Sequence, residues 1–187
     1  MKNQLFYLVA VFVLAQGKEE NECDLKTKNK MEPSECCKSA ADTELLKKEA
    51  IEKCVEKLPP PKKLLEQKKE QVSEDDPELK NYGACMTECL FLESGFVKDN
   101  TINRDATKKA FLAMNGNFTT MLSKKVDKCA DLIENMDRSN LKCKSGAGEF
   151  SRCLSREWFL NCPDAYWNND TACDELKLQV TKCPQLY

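Results

Sequence analysis

From about residue 43 onward, apolar residues recur at steps of three and four among lysines and glutamates, the period of amphipathic helices. In DTELLKKEAIEKCVEKL, the stripe is Lys47, Ala50, Ile51, Cys54, Val55 and Leu58. Ser39, Asp42 or Thr43 can cap this helix, and Pro59, Pro60 and Pro61 end it. KKLLEQKKEQV predicts a short, highly charged second helix, read as a solvated face. The next opens with Asp76 as cap and Pro77 in the first turn, and Gly95 stops it. A fourth covers residues 104–114, between Asn103 as cap and Asn115-Gly116. A fifth runs over 118–136, with Phe118, Leu122, Val126, Cys129, Ile133 and Met136 on one face. A sixth covers 149–161, carrying Phe150, Cys153, Leu154, Trp158 and Phe159 and stopping before Pro163; a last covers 172–182, with Thr171 as cap. No strand period or hairpin signal competes, so the predicted class is all-α, with about six to eight helices.

The opening MKNQLFYLVAVFVLAQG departs from this pattern. Lys2 precedes an unbroken apolar run over residues 5–15, followed by small residues at Ala15 and Gly17. The run is shorter than the roughly 20 residues a membrane span needs, and it has no polar face. It predicts a cleaved secretory leader over 1–17 and a single secreted, extracellular domain over 18–187. No later stretch approaches membrane-spanning length, so no membrane insertion is expected.

An oxidising compartment changes the reading of the twelve cysteines, all of which lie after the leader. An even count there predicts six disulfides. Cys85 and Cys89 sit four apart in a helix, where Cβ atoms are about 5–6 Å apart, too far for a bond to each other. Each must therefore reach a different neighbour, which makes their helix a central strut cross-linked twice. Cys36 and Cys37 are adjacent and too close to pair. Cys173 and Cys183 lie too far apart along one helix.

Charge and chemistry exclude several classes. Net charge is −2, or −3 without Lys2, and no basic block is present, so nucleic acid is not expected as a partner. The chain contains no histidine. That removes the commonest general base, metal ligand and pH switch together. No GxSxG occurs either, so neither an enzyme nor a metal or other cofactor is expected. Without histidine, ligand affinity should change little between about pH 5 and 7. Asn117-Phe118-Thr119 and Asn169-Asp170-Thr171 fit the glycan acceptor pattern, although Asn117 also suits a helix cap.

The cysteine spacing is the most specific signal. Thirty residues separate Cys54 from Cys85, three Cys85 from Cys89, and thirty-nine Cys89 from Cys129. Nine lie between Cys143 and Cys153, eight between Cys153 and Cys162, and ten between Cys162 and Cys173; Pro163 follows Cys162 at once in CLSREWFLNCP. This series resembles the insect odorant-binding protein family, and within it the Plus-C subclass. The thirteen residues between Cys129 and Cys143 are fewer than that subclass implies. The resemblance implies a framework of Cys54, Cys85, Cys89, Cys129, Cys153 and Cys162, linked Cys54–Cys89, Cys85–Cys153 and Cys129–Cys162. It leaves Cys23, Cys36, Cys37, Cys143, Cys173 and Cys183 in further disulfides of open pairing.

The resemblance also implies a disulfide-stapled bundle around an apolar ligand cavity, acting as monomer or homodimer. Its function would be to carry small hydrophobic molecules, odorants or pheromone-like volatiles, through aqueous fluid to chemosensory receptors. The candidate wall is Phe111, Met114, Met121, Leu122, Phe150 and Phe159, apolar positions beyond what one helix stripe needs; Phe159→Ala or Leu122→Trp should then alter affinity more than stability. Two other readings stay open: a non-olfactory secreted carrier of lipids or hydrophobic signals, and a secreted protein-binding module.

Overall fold

The computed structural model describes residues 31–38, 46–62, 64, 76–113 and 117–183. Among them are seven α-helices: α1 Pro33–Cys36, α2 Lys48–Lys57, α3 Pro77–Glu93, α4 Arg104–Ala113, α5 Asn117–Glu134, α6 Ala147–Leu160 and α7 Thr171–Lys182. The all-α class predicted from periodicity is the class observed. The leader, the caps Ser39, Asp42 and Thr43, and most of the charged second helix lie outside the described residues.

Local chemistry sets the helix ends. Asp76 caps α3, accepting from the Glu78 amide at 2.8 Å, with Pro77 beside it. Asn103 caps α4 through the Ala106 amide at 3.2 Å. The cap of α7 is Asp170, not Thr171; its carboxylate accepts from the Ala172 amide at 2.8 Å. An ionised carboxylate also suits the positive end of a helix better than a hydroxyl does.

A small hairpin stands where no strand was expected. Val97–Lys98 pairs antiparallel with Thr101–Ile102, joined by Asp99 and Asn100 at φ 51° and 58°. Asp and Asn tolerate that left-handed backbone, which a tight hairpin turn requires. Val97 and Ile102 face inward and Lys98 and Thr101 outward, the alternation a half-buried ribbon needs.

α3 is the central strut. It packs on α2 and α6, while α5 packs on α4 and α6. The main core lies between them, built on Phe91, Phe96, Phe111, Leu122, Val126, Ile133 and Phe150. Phe91 meets Phe96 and Phe150 edge-on, at centroid distances of 5.7 and 6.1 Å, the arrangement aromatic quadrupoles favour. On α2 only Ala50 and Cys54 are buried; Ile51 and Val55 stand more than two-fifths exposed, so its apolar stripe is narrower than predicted.

The turn into α6 is tightly specified. Glu88 of α3 accepts from both the amide and the hydroxyl of buried Ser145, at 2.7 and 2.5 Å. Arg138 donates to the carbonyls of Asn100, Lys144 and Ser145. Gly146 follows at φ 73°, and a Cβ there would lie 2.5 Å from Ile133 Cγ2. Any other residue would be strained and would clash.

A second, smaller core forms where both ends of the described chain meet. Phe159, Leu176 and Val180 pack with Cys36, Cys37, Cys162 and Cys173. The segment before Lys38 is held by Lys38 N–H donating to Tyr166 O and Asn168 N–H donating to Cys36 O, at 2.9 and 2.8 Å.

The disulfides correct the implied framework. Cys54–Cys89 is present, but Cys85 bonds Cys143 rather than Cys153, and Cys129 bonds Cys153 rather than Cys162. Cys162 bonds Cys37, and Cys36 bonds Cys173. The implied linkage order survives: first to third, second to fifth, fourth to sixth. The fifth and sixth positions are each one cysteine earlier, at Cys143 and Cys153. The physical reason is reach: Cys143 lies in the turn that Glu88 pins to α3, and Cys153 faces α5 from α6. As geometry demanded, Cys85 and Cys89 find separate partners, and so do Cys36 and Cys37. Cys183 is also disulfide-bonded, and Cys23 lies outside the described residues.

Candidate ligand-binding site

A cavity of about 520 Å³ opens where the start of α2, the end of α3 and one face of α4 converge. That volume falls in the range that suits a small organic ligand. The apolar wall is Phe96 with Ala106, Ala110 and Ala113, which recur at four- and three-residue steps along α4. Space exists there because alanine side chains leave it unfilled. Phe96 belongs to the main core, and Ala106 and Ala110 pack against it, so the wall continues directly into that core.

The rim is polar: Lys47, Glu93, Ser94 and Lys109. Glu93 accepts from Lys57 at 2.5 Å and Lys53 at 3.4 Å, across the α2–α3 contact. The Lys57 hydrogen bond foremost, then that from Lys53, holds its carboxyl below the usual carboxylate range. It therefore stays ionised well into the acid range. Arg104 bridges Asp131 and Glu134 at 2.6 and 2.7 Å and ties α4 to α5.

The residues predicted as pocket wall fall in several places. Phe111, Leu122 and Phe150 are buried in the main core, and Met121 packs against it. Phe159 lies in the second core, against the Trp167 ring at 5.6 Å. Met114 lies outside the described residues. None of the five described positions lines this cavity. The signal that marks it in the sequence is the spacing of Ala106, Ala110 and Ala113, small residues along one side of a short helix, half-buried at the first two and exposed at the third. Asn169 is exposed ahead of α7, and the side chain of Asn117 is outside the description.

A helical bundle pinned by disulfides in the order first–third, second–fifth and fourth–sixth, with a small-molecule cavity against its core, defines a class of carrier. The chain belongs to the PBP/GOBP family, whose profile matches residues 38–157. It is also similar to General odorant-binding protein 67 of Anopheles gambiae, with 28% identity over 159 residues, 79% of this chain and 72% of that protein. A small-ligand carrier role follows from that membership. No helix among the described residues is long and apolar enough to cross a membrane.

Proposed function

We propose that this protein is a secreted carrier, without catalytic activity, that takes up one small apolar molecule and transports it through aqueous fluid to a chemosensory receptor. The observation that carries this reading is the cavity of about 520 Å³, whose apolar wall is continuous with the core of the family-matched body. The leader over residues 1–17 and the extensive disulfide pairing support secretion of a single domain over 18–187. Phe111, Met121, Leu122 and Phe150 act as the layer that holds the wall in shape. Asn169 is the better placed of the two glycan acceptors.

Within the family we place the chain nearest the Plus-C subclass, on its cysteines beyond the framework six. Pro163 supports this less than its position first suggested, since it follows Cys162, which pairs with Cys37.

The test is a titration of the oxidised protein with a neutral apolar fluorophore, followed by displacement with volatile and fatty compounds. Saturation at one probe per chain is the expected result. Absence of saturable binding by the correctly cross-linked protein would overturn the carrier reading.

A further inference from the structure

The rim of the cavity holds an unbalanced set of donors. Among the described residues, Lys47 and Lys109 line it, and the ammonium group of neither is in an ion pair or hydrogen bond. Ser94, also in the lining, has a buried hydroxyl oxygen with no hydrogen-bond partner. The Lys47 side chain does not cap the first amides of α2, so the partial positive charge of a helix start lies at the same edge. The acid at the rim, Glu93, is already satisfied by Lys53 and Lys57, neither of which lines the cavity.

Resting on the carrier reading, we propose that the ligand is an amphipathic carboxylate of the fatty-acid class. Its chain lies along Phe96, Ala106, Ala110 and Ala113, and its head group is read by Lys47 and Lys109, with the Ser94 hydroxyl donating. An alkane would leave the buried hydroxyl unpaired, which costs binding free energy. An alcohol could satisfy Ser94 but would leave both ammonium groups without a counter-charge. An amine would meet two like charges. A carboxylate answers all three donors, through charge-assisted hydrogen bonds that exceed neutral ones in strength. The two lysines are exposed, so they can close on a head group as it arrives, and salt should weaken their grip.

The experiment loads the oxidised protein with the neutral fluorophore phenylnaphthylamine and displaces it with decanoate, decanol and decylamine at neutral pH. Decanoate should compete at about one-tenth the concentration decanol needs, with decylamine weakest. In the double variant Lys47→Gln/Lys109→Gln, the preference for decanoate over decanol should disappear. Lys124→Gln, an exposed lysine outside the lining, should retain it. Ser94→Ala should weaken decanoate and decanol alike. Equal potency of acid and alcohol, or decylamine strongest, overturns the carboxylate assignment and leaves the carrier reading standing. A preference for decanoate that survives the double variant overturns the assigned site. Failure of the probe itself to bind overturns both.

Discussion

The two cores of this molecule solve the same problem by different means. Among the described residues, the main body, inside the family-matched span, buries thirteen in its cluster, of which only Cys129 is a cysteine. Its stability comes from apolar area and interlocked rings, and its three disulfides brace a structure already packed. The terminal clamp, outside that span, buries seven, and four of these are cysteines. Phe159, Leu176 and Val180 supply too little apolar area to order so many residues by burial alone. There the cross-links replace a core rather than reinforce one. One helix serves both regions: α6 gives Phe150 and Leu154 to the body and Phe159 to the clamp, while Trp158 packs against each. Between them sits Glu157, buried and bonded to Lys125 at 3.1 Å and to Lys128, both from α5.

The sharpest way to test this contrast is to remove one ring from each region. Phe150→Ala should cost about 3–5 kcal/mol in denaturant unfolding and weaken probe binding, because it frees Phe91, the ring that packs on Phe96 of the ligand wall. Phe159→Ala should destabilise as well, since that ring is fully buried, but should leave probe affinity intact. Equal loss of affinity in both variants would break the division into body and clamp.

Next in size is Cys36→Ser/Cys173→Ser. Removing that bond should cost about 2–4 kcal/mol and raise amide exchange in α7 while probe affinity holds. Loss of affinity would mean that the clamp shapes the cavity.

Glu157→Gln tests the joint, at about 1–2 kcal/mol for lost charge-assisted hydrogen bonds at neutral pH. Burial pushes the Glu157 carboxyl up, but the bonds from Lys128 and Lys125 pull it down by more, so it titrates below its ordinary range. Its contribution is therefore present above the unfolded pKa of about 4.3 and fades as pH falls through the lower folded value. Stability should stay level from pH 7 to 5 and drop below about pH 4, and E157Q should shallow that drop. The smallest effect, about 0.5–1 kcal/mol, is expected for Lys177→Ala, whose ammonium lies 4.4 Å from the Trp167 ring centre; a thermal melt that follows α7 would register it.

Helix existence and order were readable because caps and breakers flank long periodic segments. Asp76-Pro77 and Asn103 announce α3 and α4, and Pro59–61 closes off α2. The hairpin is not legible from periodicity because Val97–Lys98 and Thr101–Ile102 are two residues each, too short for a period, although Asp99-Asn100 carries a turn signal. The cysteine register slipped by one because the intervals Cys143–Cys153 and Cys153–Cys162 are almost equal, nine residues and eight. Spacing along a chain cannot say which of two like intervals faces the strut. The short interval after Cys129 was the hint. The large residues Phe111, Leu122 and Phe150 fill the body rather than line the cavity. Empty space is written in small ones, and the alanines of α4 carried it.

The adjacent pair Cys36 and Cys37 has a mechanical consequence. The Cys37–Cys162 bond spans 125 positions of sequence and closes the body into a covalent ring. Cys36–Cys173 sets a second bolt just outside it. A pull that reaches Cys36 and Cys173 runs through these bonds and passes the body by. A protease that cuts once within the ring likewise opens it without releasing a fragment. The protein can thus be tugged or nicked and still hold together as one covalent piece, until a reductant unlocks the ring.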